Sequence, residues 1–437
     1  MIKQLIQIAL PSIQRRLHTN APLPAKDPII EAKIIASRRW SLATLRQHQR
    51  HLLVGILLIG TIVAGVYRQQ PFSSVQAGTC AAGSAVSHTF PTGARWDLCW
   101  TEEAAEGIVL SDIYYMSPGG ESRKVLHEAS LSQIELSYDD GQATFYYTSL
   151  PGLGGNQLLT LTAVDCPDGT LLGNGGRNVL CQQEGARGYL YKYYTVQRQG
   201  EDFTLLSASQ IGQLLYIVKW RFLDDGTIEP QVGDGGRLLR QGSDTAVGWP
   251  VDADGTVGIG YVTNFWWRLD FDLAGNGAND FVDEFEVKPG EANSAQRVTQ
   301  ATQLNSESGR TTDPSVKRSW RVRDGAVTNT DGHAISYHLE AKEAGYRDPG
   351  SAMAPWNEHD LYVTVNQSCE RLAVHNPTCG AHVGEFVDGE SIAGADIVLW
   401  YRVTAHRLPR AEDAPLLGIE WHGYQLLPRD WTAQNSF

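Results

Sequence analysis

The sequence predicts a mainly β protein: a large antiparallel β-sandwich preceded by N-terminal helices and one transmembrane helix. Three observations predict it. After residue 95 the chain is dominated by short alternating runs, among them TFYYTSL, YLYKYYTV and LYVTV, separated by glycine-containing turns. Leu52 to Tyr67, LLVGILLIGTIVAGVY, is uncharged and apolar and follows a basic segment. With 437 residues and 42% apolar content the chain can bury a large core, and all-β domains of that size occur as single units.

Residues 1–50 read as a helical segment on the cytoplasmic side. MIKQLIQIAL places apolar residues at 2, 5, 6, 8, 9 and 10 and is ended by Pro11, which gives a short amphipathic helix. Ile29 to Arg50 reads as a second helix running into the apolar run. The segment either docks on a membrane partner, lies on the inner surface of the bilayer, or forms a solvated basic flank. Residues 51–68 read as a transmembrane helix, short for a span but too uniformly apolar for a buried helix beside RRW and RQHQR. A charged region of fifty residues ahead of it is too long for a cleaved signal, so the helix reads as an uncleaved anchor. Residues 1–50 hold nine Lys or Arg and two acidic residues, net +7, so the −13 of the whole leaves −20 on the remainder. The excess of basic residues places the N-terminus in the cytoplasm and the main domain on the periplasmic or extracellular face. Residues 69–94 are small and polar and read as a linker, and 95–437 as the sandwich. A domain this acidic makes a poor partner for nucleic acid. All six cysteines follow the predicted span, and an even count there fits an oxidising compartment.

Several motifs carry a family resemblance. RWDLCW…EGIVLSDIYY (Arg95 to Tyr115), LSQIELSYDD (Leu131 to Asp140), NQLLTLTAVDC (Asn156 to Cys166) and NVLC (Asn178 to Cys181) come first. GQLLYIVKWRFLDDGTIE (Gly212 to Glu229), NEHDLYVTV (Asn357 to Val365), ADIVLWY and PRAED with EWHGYQLLP (to Pro428) follow in order. Together they resemble the C-terminal catalytic domain of copper amine oxidases, from about Ala94 to Phe437. The resemblance implies a large antiparallel sandwich, a copper ion, and a quinone cofactor made from a tyrosine. It places the quinone precursor at Leu214, which has no phenol to oxidise. It places the first two copper ligands at Tyr261 and Thr263, either side of Val262, and the third at Arg407, with His406 one residue away as a remnant imidazole. Type-2 copper needs several neutral imidazoles around one point, and an arginine there repels the metal. The family's basic aspartate falls near FYYTSLPG (Phe145 to Gly152), which holds no carboxylate. The implied cofactor set is therefore no copper and no quinone.

The resemblance also implies a Cys166–Cys181 disulfide. Cys80 with Cys99 and Cys369 with Cys379 are the remaining pairs by proximity, against a zinc site of Cys369, His375, Cys379 and His382 whose spacing fits no standard pattern. It implies a structural calcium held by Asp270, Asp272 and Asp396 with the Phe271 and Ile397 carbonyls, all positions that keep an oxygen here. The alternative is two solvent-facing aspartates on a strand. An EF-hand is excluded, because its twelfth loop position is Phe281.

Smaller signals add little. Gly152 to Gly155, GLGG, lacks the lysine-serine pair of a phosphate loop and reads as a turn. Asn366-Gln367-Ser368 is a glycosylation sequon, meaningful in a eukaryotic secretory pathway. Twelve tryptophans, including Trp266-Trp267, read as core filling or as the lining of a ligand pocket.

The leading expectation is a non-catalytic accessory subunit of a larger membrane protein complex, respiratory or photosynthetic, held also by the lipid bilayer. The alternatives are a membrane-anchored small-ligand sensor and a repurposed or misread amine oxidase. A homodimer is compatible with the sequence but not favoured.

Overall fold

Alternation of apolar and polar side chains builds this domain strand by strand. The computed structural model describes residues 80–290, 295–342, 347–348 and 353–435. The chain divides into two units, 1–73 and 74–437, and all described residues fall in the second. The N-terminal helices and the transmembrane helix expected over 1–68 lie outside the described residues. Among the described residues no helix is long and apolar enough to cross a membrane.

Two large sheets face each other, and every pairing in them is antiparallel. The first runs in the order Ala85–Thr89, Arg95–Glu103, Gly107–Met116, Ser122–Tyr138, Tyr261–Phe271, Ile397–Arg407, Leu361–Val365 and Ser308–Arg310. The second runs Arg297–Leu304, Asp280–Pro289, Ser319–Thr328, Ala334–Ala341, Leu417–Arg429, Ile228–Gly236, Leu214–Leu223, Val196–Ile211, Arg177–Tyr193 and Thr170–Asn174. A small sheet of Gln241–Gly242, Val257–Ile259 and Gly248–Pro250 sits beside them. The stretch expected to be linker joins the fold early. Ala85–Thr89 is the edge strand of the first sheet, because Val86 and Phe90 each bury an apolar side chain in the core.

The Leu214–Leu223 strand shows how the sequence sets the interior. Leu214, Tyr216, Val218, Trp220 and Phe222 alternate into the core while the residues between them are only half-buried, as period two requires. Across from them the Tyr261–Phe271 strand contributes Trp267, whose ring meets Trp220 edge-on at 5.2 Å between centroids. Trp267 also meets Tyr424 at 5.8 Å, and Tyr424 meets Tyr401 at 4.8 Å. One aromatic layer therefore joins both sheets, each buried ring removing a large apolar area from water. The tryptophans expected as core filling are just that at Trp220, Trp266 and Trp267, all 2% exposed or less.

All six cysteines are bridged: Cys80–Cys99, Cys166–Cys181 and Cys369–Cys379. The zinc alternative thereby loses both its thiolates. These disulfides suggest an extracellular or periplasmic domain.

Candidate functional site

A tight turn at Gly212, in the left-handed region at φ 60°, delivers Leu214 to the start of its strand. Leu214 pairs with Ile211 on one side and Gly236 on the other. Gly236, at φ 107°, would bring a Cβ to 2.9 Å from the Leu214 Cα, so the backbones touch there. The Leu214 side chain is 4% exposed and belongs to the main hydrophobic cluster.

Around it the space is filled by aromatic side chains. Tyr147, from the segment where a base was expected, lies 5.7 Å from Tyr216 and stacks on Phe145 at 5.9 Å. Burial pushes the Tyr147 phenol up to about 12. Tyr138 meets Tyr261 at 5.8 Å. Burial likewise holds Tyr216 and Tyr261 well above the ordinary phenol value, so they stay neutral at physiological pH.

The three positions assigned to copper come together on neighbouring strands. Tyr261 and Arg407 stand opposite each other, and Thr263 follows two residues along on the same buried face. Tyr261 and Arg407 converge on Asp234. Tyr261 donates its hydroxyl to Asp234 Oδ2 at 3.3 Å, and Arg407 Nη1 lies 3.5 Å from the same oxygen. Arg407 Nη2 donates to the Gly418 carbonyl at 2.7 Å and reaches Asp413 Oδ1 at 3.4 Å and Glu420 at 3.5 Å. Burial opposes the guanidinium charge, but Tyr261, Asp234, Glu420 and Asp413 outweigh it and hold the Arg407 pKa above its usual value.

His406 is not part of this constellation. Strand alternation puts it with Val262 on the other face, where its Nε2 meets Asp139 Oδ2 at 2.9 Å near solvent. The imidazole that does reach the site is His422, whose Nε2 is 3.2 Å from Asp234 Oδ1 and whose ring stacks on Phe265 at 5.7 Å. Sequence reasoning missed both His422 and Asp234. Asp234 stands directly opposite Tyr216 on the adjoining strand, a pairing visible only once register is known.

The aspartates assigned to calcium are gathered at the far end of the Tyr261–Phe271 strand. Asp270 is 2% exposed, and the Asn366 amide donates to Asp270 Oδ2 at 3.0 Å and to Asp396 Oδ2 at 3.1 Å. Arg268 accompanies them, donating to Asn366 Oδ1 at 2.9 Å and to Glu128 at 2.8 Å. Asp272 is held by Lys124 at 3.0 Å. Gly277 closes over the group, since a Cβ there would fall 2.8 Å from Asp396 Oδ1 and 3.2 Å from the Phe271 carbonyl. Asp270 Oδ1 and Asp272 Oδ1 are buried with no hydrogen-bond donor. Burial, partly countered by Arg268, pushes the Asp270 carboxyl up to about 6. The two aspartates are therefore not solvent-facing alternates.

A second acidic group was not foreseen. Among the described residues, Glu307, Asp388 and Glu390 are the carboxylates whose ligand oxygens all lie within 4.8 Å of one another. The Asp270, Asp272 and Asp396 oxygens are not so tightly drawn together. Glu307 is fixed by the backbone N–H groups of Val365, Asp388 and Gly389.

A polar cleft of about 400 Å³, lined by Arg123, Arg198, Asn329 and Trp431 among others, opens at the end of the Leu214–Leu223 strand opposite Leu214, near Gly226. The GLGG segment is a turn packed on the backbone of Glu103 and Ala104.

Comparison with known proteins accounts for this architecture. Residues 92–437 match the family model described as copper amine oxidase, enzyme domain. A primary amine oxidase from an Arthrobacter species is 24% identical over 395 residues, covering 81% of this chain and 60% of that protein. The histamine oxidase of Arthrobacter globiformis is 27% identical over 384 residues, covering 78% and 56%. The crystal structure of a copper-containing benzylamine oxidase from Hansenula polymorpha superposes with a TM-score of 0.65 at 20% identity, covering 78% of this chain and 59% of that one. That of the Aspergillus nidulans amine oxidase gives 0.67 at 19%, covering 78% and 52%. The chain thus spans about three fifths or less of the length of these relatives. By its enzyme domain, the chain belongs to the copper amine oxidase family.

Proposed function

We propose that this chain is a catalytically silent member of the family, serving as a structural or accessory subunit of a membrane protein complex. The observation that carries the reading is Arg407. A buried guanidinium bonded to Asp234, Asp413 and Gly418 stands where the resemblance asks for a metal ligand. A permanent cation and a divalent metal compete for the same carboxylates, and Tyr261, Thr263 and the lone imidazole of His422 do not make the several neutral nitrogens copper requires. Leu214 offers nothing that copper and oxygen could convert to a quinone, so the donor set does not fit the family's cofactors.

With the chemistry removed, what supports a scaffolding role is a fully bridged domain that follows, along the sequence, an apolar run preceded by a basic segment. Such a chain can hold an assembly from both faces of a bilayer, with its N-terminus cytoplasmic. At the other end of the sandwich, Asp270, Asp272 and Asp396 with the Phe271 and Ile397 carbonyls fit a structural calcium ion, because buried carboxylate oxygens without donors are what a hard cation satisfies.

Gentle detergent extraction of the full chain from its native membrane, followed by identification of co-purifying proteins, tests the role. Stable co-purification with integral membrane subunits is expected, weakened by removal of residues 1–50. A chain that runs alone refutes it.

A further inference from the structure

Asp280 opens the Asp280–Pro289 strand, and Asp324 stands directly opposite it on Ser319–Thr328. They are 0% and 1% exposed, and among the described residues neither forms an ion pair. Like charges facing each other across a sheet destabilise it, and a buried carboxylate without a counter-charge costs several kcal/mol on the order of an unpaired ion. Burial, with the facing Asp324, pushes the Asp280 carboxyl up to about 9, so the pair is neutralised either by a proton or by a bound cation.

The hydrogen bonding leaves three buried oxygens there without a donor. Asp324 Oδ1 accepts from the Ala326 and Val327 backbone N–H groups at 2.6 and 2.5 Å, which locks the carboxylate and leaves Oδ2 with no donor. Asn279 donates its amide to the same Oδ1 at 3.3 Å, and its own Oδ1 is likewise buried without a donor. Asp280 Oδ2 lies 3.5 Å from the Leu273 N–H, and its Oδ1 has no donor.

We propose that Asp280, Asp324 and Asn279 hold a hard divalent cation of the calcium class at a second site adjoining the Asp270, Asp272 and Asp396 group, since Asp280 bridges to Ala395 and faces the Leu273 N–H. Oxygen-only donors with two negative charges suit such an ion and disfavour zinc or copper. The remaining coordination would come from backbone carbonyls or water, as hard cations accept six to eight oxygens. The ion would tie the start of one strand to the middle of its neighbour, next to the turn that follows Asp272.

Calcium itself is the probe, and the full chain in mild detergent is the sample. Bound calcium is counted by elemental analysis after gel filtration, and unfolding is followed in calcium and in a chelator, for wild type, Asp324→Asn and Asp270→Asn. Asparagine keeps the Oδ1 acceptor for Ala326 and Val327, so the fold is retained. The expected result is that Asp324→Asn loses one equivalent of calcium, unfolds at lower temperature in calcium, and responds less to the chelator. The opposite sign overturns the proposal: if Asp324→Asn keeps the wild-type calcium count, or is more stable than wild type in both media because a repulsion has been removed, no cation bridges the pair. If calcium is lost only in Asp270→Asn, the Asp270 site stands and this one falls. Should Asp324→Asn not fold, Asp280→Asn makes the same comparison.

Discussion

Replacing Arg407 by leucine removes a buried cation that faces both Asp234 and Asp413. The Arg407 side chain is 4% exposed, against 8% for Asp234 and 1% for Asp413, whereas Glu420 is 40% exposed and adds little. Breaking a buried pair from one side costs about 3–5 kcal/mol, because the carboxylates left behind are uncompensated. Two features pull the figure toward the lower end. Asp234 keeps Tyr261 and His422, and Asp413 keeps the Arg410 N–H at 2.9 Å. About 3 kcal/mol corresponds to a fall in unfolding temperature of roughly 6–12 °C, given about 2–4 °C per kcal/mol in large domains. The assay is thermal and denaturant unfolding followed by tryptophan fluorescence, with Asp234→Asn in the Arg407→Leu background as the second arm. The double variant should regain most of the loss, since the stranded charge goes with it. A loss below about 1 kcal/mol, or a double variant worse than the single, refutes the view that Arg407 is a structural cation filling a former metal position.

The purified chain should carry no stoichiometric copper and give no quinone-reactive stain, and Leu214→Tyr alone should not change either result; copper bound at one equivalent in any of these samples overturns the silent reading. Replacing Cys166 and Cys181 together by serine should cost about 3 kcal/mol for a loop of this size, and non-reducing peptide mapping of the native chain should recover them as one bridged peptide. His338 is buried and flanked by Arg429 and Arg321, and desolvation first, then these cations, brings its pKa down to about 4. Its unfolded value near 6.5 exceeds the folded one, so its stabilisation is complete above pH 6.5 and is lost as pH falls toward 4, by up to roughly 3 kcal/mol. His338→Gln should flatten that part of the stability profile, and an unchanged slope between pH 6.5 and 4.5 counts against the assignment.

What could be read in advance was what is written locally. Alternation along Leu214 to Phe222 and along Tyr261 to Phe271 fixes which side chains enter the core, and the ordered motifs fix the fold to which they belong. The same alternation separates His406 from Arg407, and attention to it alone would have sent His406 to the outer face. Asp234 meeting His422, and Asp280 meeting Asp324, depend on strand register across 188 and 44 residues of chain respectively. No local pattern encodes those meetings. The linker missed its first strand because Val86 and Phe90 are isolated among small polar residues, too few to raise a periodic signal. The Glu307 group was invisible for the same reason, since its carboxylates come from segments some eighty residues apart and are joined by backbone N–H groups rather than by a motif.

Asn366 gives the sequon a meaning of its own. The atom an oligosaccharyltransferase must modify is the side-chain nitrogen, and in the folded domain that nitrogen donates to both Asp270 and Asp396. A sugar attached there replaces one of the two amide hydrogens, so the nitrogen can no longer donate to both carboxylates. If this chain is made in a glycosylating host, the modification therefore races against folding. Occupancy at Asn366 becomes a clock, and a glycan on that residue marks molecules whose sandwich had not closed before the enzyme arrived.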